Sequence, residues 1–485
     1  MRSSEVERSR DEAEGAPPEA LREKLRRRGQ EHLLRFWREL RPEERSALRS
    51  QIERLDWKLL EELSRGRGIA RPGAMAPDAL PAPVVPCGGD APFAKRSDAV
   101  REGERLIAEG KVGIILVAGG QGSRLGFPGP KGCYPIGPVS GKSLFQLQAE
   151  RIAALRRRYG RTLPWYVMTS PGNDRATREF FSERRFFGLP EDSVRFFPQT
   201  VLPSLDPNGR LILETKCRIF ENPDGHGGVY AALLRSGLLD EAERSGIEHL
   251  FHYQVDNALI RIADPVLLGF HALSGADMSL KVLRKSCPEE KIGVVVSEGA
   301  AYRVVEYSDL SEEEAARRDA RGELVFWAGS IAIHAFRIAF FRRAAEGEID
   351  LPYHAAWKEI PSVDESGHPA KVRGCKYERF VFDALPAARN PVFLEVRREE
   401  EFAPVKNPRG VDSVESARGL LLAEHRRWLE RCGVRVSGRV EVSPLAALDA
   451  GDLEARLPPE LRGGREGDFV LELGGDGRPR FEPRS

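Results

Sequence analysis

Residues 114–132 read IILVAGGQGSRLGFPGPKG. Ile114 to Val117, preceded by Gly110, have the composition of a strand buried on both faces of a parallel sheet. Gly119, Gly120 and Gly122 follow where that strand must end. Without Cβ atoms there, backbone N–H groups are open to close approach by a phosphate or a planar base. Arg124 and Lys131 add fixed positive charge beside those donors, which suits a polyphosphate. A tight strand-to-helix turn without a ligand needs neither cation. The local chemistry predicts a nucleoside triphosphate site.

Two better-known phosphate loops fit less well. Gly120, Gly122 and Gly126 give G-x-G-x-x-x-G, one residue longer than the dinucleotide-binding spacing. The run Gly137-Pro-Val-Ser-Gly141-Lys142-Ser143 resembles a Walker A loop but is one residue short between its glycines, and it follows Pro135 rather than a strand.

At 485 residues the chain is long enough for two or three domains. Its 75 basic and 74 acidic residues nearly cancel, and a net charge of +1 offers no footprint for nucleic acid or an anionic membrane. No apolar run approaches the ~20 residues of a bilayer span. The charged N-terminal stretch lacks the apolar core of a signal peptide. The six cysteines are scattered and form no C-x-x-C pair, which argues against zinc and disulfides and for a reduced, cytoplasmic protein. Cys133 and Cys375, although in interesting stretches, read as small buried apolar residues.

Along the chain, residues 1–20 read as a disordered tail. Two helices follow, split at Arg41-Pro42, where proline fits a first helical turn. Leu48, Ile52, Leu55 and Leu59 give the second an apolar face. Residues 66–95, rich in Pro, Gly and Ala, read as an extended connector. The middle alternates helices (143–158, 229–242, and one opened by Asp264-Pro265) with strands (165–169, 194–197, 249–255), the pattern of a parallel sheet covered on both faces. A further helix carries Phe180, Phe181 and Phe187. From 276 onward an antiparallel hairpin is expected at 294–296 and 302–306. Beyond 385 come a strand at 393–396, a helix at 417–431 and short strands at 434–436, 440–442 and 469–473.

Ligands of open parallel sheets sit at the carboxyl ends of strands. HLFHYQVDN ends in Asp256-Asn257. A carboxylate there, within reach of bound phosphates, is a natural Mg²⁺ ligand, although Asp256 alone would serve equally as a turn cap. The stretch Asn222-Pro-Asp-Gly-His-Gly-Gly-Val-Tyr230 is a second glycine turn leading into a helix, suited to an anion or hydroxyl. His226 in it reads as a base, a hydrogen-bond donor or a packed turn residue. Phosphoryl transfer to a phosphate nucleophile needs no base at neutral pH. Lys376 and Lys406, each in a mixed apolar and charged context, read either as site cations or as solvated surface charge.

VAGGQGSRLG with PKG, LFQLQAERI, PDGHGG, VDN, VVEYSDL, KYERFVFD and EFAPVKN together resemble the UDP-sugar pyrophosphorylase family, in colinear order from about residue 100 to 430. The branch most resembled is that of UDP-N-acetylhexosamine pyrophosphorylase. The resemblance implies an α/β fold. It consists of a Rossmann-like nucleotidyltransferase core with a mixed, mainly parallel sheet, an N-terminal helical segment and a small C-terminal β-rich domain. The expected layout is 1–97 for the tail, helices and linker, 98–385 for the catalytic core, and 386–485 for the C-terminal domain.

Carried over by the same resemblance, Val117, Ala118, Gly119 and Gly120 would hold the uracil and ribose of UTP, with Gln199 on the uracil edge and Gly225 against the nucleotide. Arg124, Lys131 and Lys376 would neutralise the phosphates and carry catalysis. Asp256 would hold Mg²⁺. His226, Glu306, Ser330 and Lys406 would bind the sugar phosphate. UTP and N-acetylglucosamine 1-phosphate would give UDP-N-acetylglucosamine and pyrophosphate, with no nucleic-acid or membrane partner and a monomer favoured. The sugar half departs from the branch pattern. His226 stands where the branch usually has Asn, and Trp327, Ser330 and Ile333 each replace an Asn. Glucose or galactose 1-phosphate is therefore the rival substrate. An inactive nucleotide-sugar sensor is the rival of another class, and a kinase using GPVSGKS the weakest.

Overall fold

The short apolar segments between glycine turns assemble in the computed structural model into an eleven-stranded sheet, counted over the described residues 16–70 and 75–484. Seven of its strands position the site: β1 (Val112–Val117), β2 (Trp165–Thr169), β3 (Val194–Pro198), β4 (His249–Gln254), β5 (Met278–Arg284), β6 (Ala328–Arg337) and β7 (Phe393–Glu395). Their order is β7-β5-β6-β4-β1-β2-β3, with the short strand Val84–Val85 beyond β7. The pairs β4–β1, β1–β2, β2–β3 and β5–β7 are parallel, whereas β6 runs antiparallel to both neighbours. The mixed, mainly parallel α/β sheet expected from the sequence is thus present. Ile114, Ile115 and Leu116 have no solvent exposure, as a strand covered on both faces requires.

Helices α1 (Arg96–Ala108), α2 (Leu144–Tyr159), α3 (Pro265–Leu273) and α4 (Val414–Arg431) belong to the same unit. α2 starts where Ser143 Oγ accepts the Gln146 N–H at 3.1 Å and stops at Gly160. α3 opens as its sequence predicts, with Asp264 accepting the Val266 N–H and proline in the first turn. The expected helix 229–242 is two helices, Val229–Arg235 and Leu238–Arg244, because Gly237 takes φ +74° between them. The aromatic helix is Asp174–Glu183, and Phe187 lies beyond it in a turn of positive φ.

The C-terminal tail adds Val434–Ser437, Val440–Val442, Asp468–Leu473 and two further strands around a small apolar cluster that includes Val434, Val442 and Leu471. Its Glu441 is buried in the GPVSGKS loop, accepting from Val139 N (2.9 Å), Ser140 N (2.8 Å) and Ser140 Oγ (2.7 Å). Lys142 of that loop pairs with Glu150 (3.0 Å) and Glu472 (2.8 Å). The near-Walker run therefore holds a carboxylate of its own chain.

The chain divides into two units, neither made of consecutive residues, in contrast to the consecutive segments expected. One comprises residues up to Pro72, 200–228 and 351–380; the other comprises 73–199, 229–350 and 381–485. In the first, N-terminal helices bury Leu25, Leu33, Trp37, Leu48 and Ile52 against Leu211, Ile219 and Tyr377. Buried Gln51 exchanges two hydrogen bonds with the backbone of Ile219, imitating a strand partner. A long hairpin, His354–Val363 with Pro369–Glu378, completes that unit.

Three expectations need correction. The tail ends earlier than predicted: residues 1–15 lie outside the described residues, but a helix begins at Glu19 and buries Leu21 and Leu25. The apolar face 48–59 spans two helices, Pro42–Arg54 and Trp57–Ser64. The connector 66–95, of which 71–74 lie outside the described residues, contributes two short strands to the large sheet. Among the described residues no helix is long and apolar enough to cross a membrane.

Candidate active site

β1 ends at Val117, and the next four residues turn through the glycine corner. The carbonyls of Ala118, Gly119 and Gly120 are tied back into the protein. Asn173 Nδ2 donates to Ala118 O (2.9 Å) and Gly120 O (3.3 Å), Ser170 Oγ to Gly119 O (2.9 Å), and Lys131 N to Gly120 O (3.0 Å). The N–H groups of Gly119, Gly120 and Gln121 have no protein acceptor among the described residues. With oxygens turned inward and free donors left over, the corner is a ready anion or hydrogen-bond-acceptor cradle. Ser170 and Asn173 escaped the sequence reading, which ended a strand at residue 169 and gave the next residues no role. Their position at the end of the strand paired with β1 was the available signal.

The neighbouring strands bring further groups to the same edge. Buried Gln199 follows β3, with its side-chain oxygen packed on Gly119, so closely that a Cβ there would stand 2.8 Å away. Gln254 of β4 is level with Val117, which carries Asp256 to the same end of the sheet. Lys131 Nζ lies 3.5 Å from Asp256 Oδ2, and both side chains are largely buried (17% and 15% exposed). Asn257 fixes the segment by bonding both Glu401 O (2.7 Å) and Ala403 N (2.9 Å), and Val405 N donates to Asp256 O (2.9 Å). The segment before Lys406 is thereby stitched to Asp256. Lys406 itself pairs with Asp412 at 3.3 Å. Beneath both stitches, fully buried Lys281 binds Asp264 (2.7 Å) and Glu401. Arg124 is exposed on the turn Ser123–Leu125.

Glu306 and Ser330 meet at Gly293: Ser330 N donates to Gly293 O (2.8 Å), and a Cβ on Gly293 would lie 3.0 Å from Glu306 Oε1. These residues all belong to the larger unit.

Gly225, His226 and Lys376 belong to the other unit. Gly225 has φ +82°, and any Cβ would overlap the Arg379 carbonyl. The turn is held by buried Asp224, which pairs with Arg379 (3.1 Å) and accepts from Thr200 Oγ1. His226 stacks on Phe380 with ring centroids 5.2 Å apart, and His354 stacks on Phe380 at 4.2 Å. Burial, and then the neighbouring His354, push the His226 imidazole down to about 4, so it is neutral at pH 7. Lys376 Nζ stands 5.2 Å from the Phe220 ring centroid. Cys375 is buried in the apolar cluster of this unit, and burial raises the Cys133 thiol to about 12, so neither presents a ready thiolate.

The donor set suits Mg²⁺ on chemical grounds. Among the described residues no three His, Cys, Asp or Glu gather into a cage. A single carboxylate beside a phosphate cradle is the arrangement that Mg²⁺ accepts, because it takes most remaining ligands from phosphates and water.

A parallel strand running into a backbone-donor corner, with a cation and a carboxylate at the neighbouring strand end, defines an α/β nucleotide-binding protein. Comparison with known proteins narrows this class. Residues 94–448 match the UTP–glucose-1-phosphate uridylyltransferase family, and the chain belongs to it. It is 44% identical over 444 residues to the human UDP-N-acetylhexosamine pyrophosphorylase-like protein 1, covering 87% of each chain. It is 40% identical over 469 residues to UDP-N-acetylglucosamine diphosphorylase 1 of Arabidopsis thaliana, covering 91% of each. The structure is similar to that of the Trypanosoma brucei UDP-N-acetylglucosamine pyrophosphorylase in complex with an inhibitor, with TM-score 0.74, 29% identity, and coverage of 88% of this chain and 92% of that one.

Proposed function

We propose that the protein transfers the uridylyl group of UTP to N-acetylglucosamine 1-phosphate, giving UDP-N-acetylglucosamine and pyrophosphate. The observation that carries this reading is the glycine corner, with its carbonyls tied back and three N–H groups free, next to the Lys131–Asp256 pair. Relatives named for this reaction at 40% identity over 91% of the chain support it.

In this reading the backbone from Val117 to Gly120 and the Gln199 amide hold the uridine, and Arg124 and Lys131 neutralise the triphosphate. A phosphate oxygen of the sugar 1-phosphate attacks the α-phosphorus in line, and the bond from that phosphorus to the bridging oxygen breaks, so pyrophosphate leaves with its electron pair. The nucleophile is already an anion and needs no base, and His226, neutral at pH 7, is not asked to serve as one. Glu306 and Ser330 take sugar hydroxyls, and Lys406 takes the sugar phosphate. Mg²⁺ held by Asp256 would supply charge neutralisation on the phosphates when bound. Rate enhancement then rests on alignment and preorganised charge. We take the setting to be cytoplasmic.

A second reading keeps the reaction and changes the sugar to glucose or galactose 1-phosphate, favoured by His226 and by the short Ser330 hydroxyl in place of a branch amide. Pyrophosphate release from UTP decides among the readings when GlcNAc 1-phosphate, GalNAc 1-phosphate, glucose 1-phosphate and galactose 1-phosphate are offered in parallel. The highest kcat/KM is expected with GlcNAc 1-phosphate. Glucose 1-phosphate leading would favour the second reading, and no release with any sugar would favour a sensor.

A further inference from the structure

In the larger unit, α1, α2, α4 and the segment leading from Asp256 to α3 enclose a cavity of about 250 Å³. Its apolar walls include Leu155, Leu259, Ile260, Ile262, Val266 and Trp428. Its five carboxylates are already engaged: Asp264 by Lys281 (2.7 Å), Asp449 by Arg158 (3.2 Å), Glu424 by Trp428 Nε1 (2.8 Å) and Arg427, Glu104 by the Tyr159 hydroxyl (3.2 Å), and Glu400 by Arg261 (3.2 Å) and Arg397 (3.1 Å). Arg151 is different. Its Nη2 donates to Ala258 O at 2.8 Å, but its buried Nη1 has no hydrogen-bond partner among the described residues. His425, also lining the cavity, accepts the Val442 N–H on Nδ1, which leaves its ring proton on Nε2.

Against this cavity lies a second cleft of about 520 Å³, sharing Arg261, Glu400, Glu424, Trp428 and Asp449 with it. Its lining sets four arginines (Arg261, Arg397, Arg427 and Arg431) against three carboxylates. Arg431 has no carboxylate partner among the described residues. An apolar chamber with one unsatisfied buried donor, Arg151 Nη1, thus opens beside an arginine-rich mouth. None of these residues belongs to the proposed uridylyl-transfer site.

We propose that chamber and mouth form one binding site for a small amphipathic anion, with a ring-sized apolar body against Trp428 and Leu155 and a single phosphate-type or carboxylate-type head on Arg427 and Arg431. Apolar lining with a few convergent polar groups is the composition of a ligand site, and a guanidinium fork is the natural partner of such a head. The wall of the chamber continues from Asp256, and Arg151 and Gln148 of α2 hold Ala258 O and Val255 O on either side of it (2.8 and 3.0 Å). Occupation therefore tightens the segment 256–264.

The test uses 2-naphthyl phosphate, 2-naphthol and 2-naphthylmethylamine, which share one ring system and differ in charge, with the full chain and calorimetric detection. The phosphate is expected to bind about tenfold more tightly than the alcohol, the preference that a charge-assisted pair confers. The amine is expected not to bind. Arg431→Gln should remove the preference without weakening the alcohol. Val100→Trp, which fills the chamber from the half-buried face of α1, should abolish both, and Leu448→Trp is the second blocking variant should the first fail to fold. Amide hydrogen exchange across residues 256–264 should slow at least threefold on binding, a readout independent of turnover and of UTP. Equal affinity for all three probes, phosphate binding that survives both blocking variants, or unchanged exchange would each overturn the proposal.

Discussion

Gly119→Ala separates the nucleotide-site reading from ordinary packing. The added methyl would stand 2.8 Å from Gln199 Oε1 and 3.2 Å from its Cδ, with Ser170 Cβ next at 3.4 Å. The amide is the free end of a long side chain and can retreat by roughly half an ångström, so the cost to the fold is under about 1 kcal/mol. The same retreat removes the amide from hydrogen-bond reach of a base seated on the corner. Losing one such bond costs about 1 kcal/mol, and leaving a buried partner unsatisfied about 3, so UTP binding should weaken roughly 5- to 150-fold. Two other glycines of the stretch calibrate the result. At Gly120 a Cβ meets nothing closer than Lys131 Cε at 4.0 Å, so Gly120→Ala probes only the ligand's own approach. At Gly132 a Cβ would enter the buried Phe145 ring, so Gly132→Ala should lower the melting temperature instead. Calorimetry with UTP and thermal unfolding by circular dichroism measure the two effects separately. UTP affinity within twofold of the parent in Gly119→Ala, with the fold intact, would refute the seating of uracil between this corner and Gln199.

Further outcomes follow from other groups. Lys131→Met should lower kcat/KM for pyrophosphate release about 10²- to 10³-fold at unchanged far-ultraviolet dichroism, the usual effect of deleting one preorganised transition-state donor; near-normal turnover would remove Lys131 from the site. Lys281→Met leaves Asp264 and Glu401 buried without their cation and should cost about 3–5 kcal/mol, read as a lower urea midpoint; an unchanged midpoint would show the triad to be dispensable. Acidification should destabilise the fold through buried histidines. An exposed imidazole takes a proton below about 6.5, whereas burial holds His249 down to about 4 and His425 to about 3. Between those values the unfolded chain binds more protons, so stability is full above 6.5 and falls toward pH 4, by about 1.4 kcal/mol per pH unit for each histidine. A melting temperature that stays level from pH 7.5 to 5 would contradict this.

The parallel core was legible because its signals are local. The residues of β1, the helix start near Ser143 and the Asp264-Pro265 start are set within a few positions of chain, and each appears where expected. Elements defined by distant partners were not legible. β6 reads AGSIAIHAFR, with small residues and no alternation, because both of its faces are covered. The hairpin carrying Lys376 is exposed along much of its length, apolar Ala355, Ala356 and Trp357 included, and the unit it completes draws on three separated stretches. Candidate site glycines, Gly119 where a Cβ would crowd Gln199 and Gly225 at φ +82°, could be found from sequence. Ser170 and Asn173, ordinary residues that act by holding the corner's carbonyls, could not, because their role exists only once β1 and β2 lie side by side.

The seat of Glu441 in the Val139–Ser140 loop has a practical bearing on anyone shortening the gene. A stop codon placed after the helix ending at Arg431 looks safe on a domain map. It would strip two amide donors of the Glu441 carboxylate, and Lys142 of Glu472, one of its two carboxylate partners, just ahead of the helix that follows the glycine corner. The last β-strands act as a built-in salt for that loop, and a trimmed chain would have to recruit its anion from the buffer.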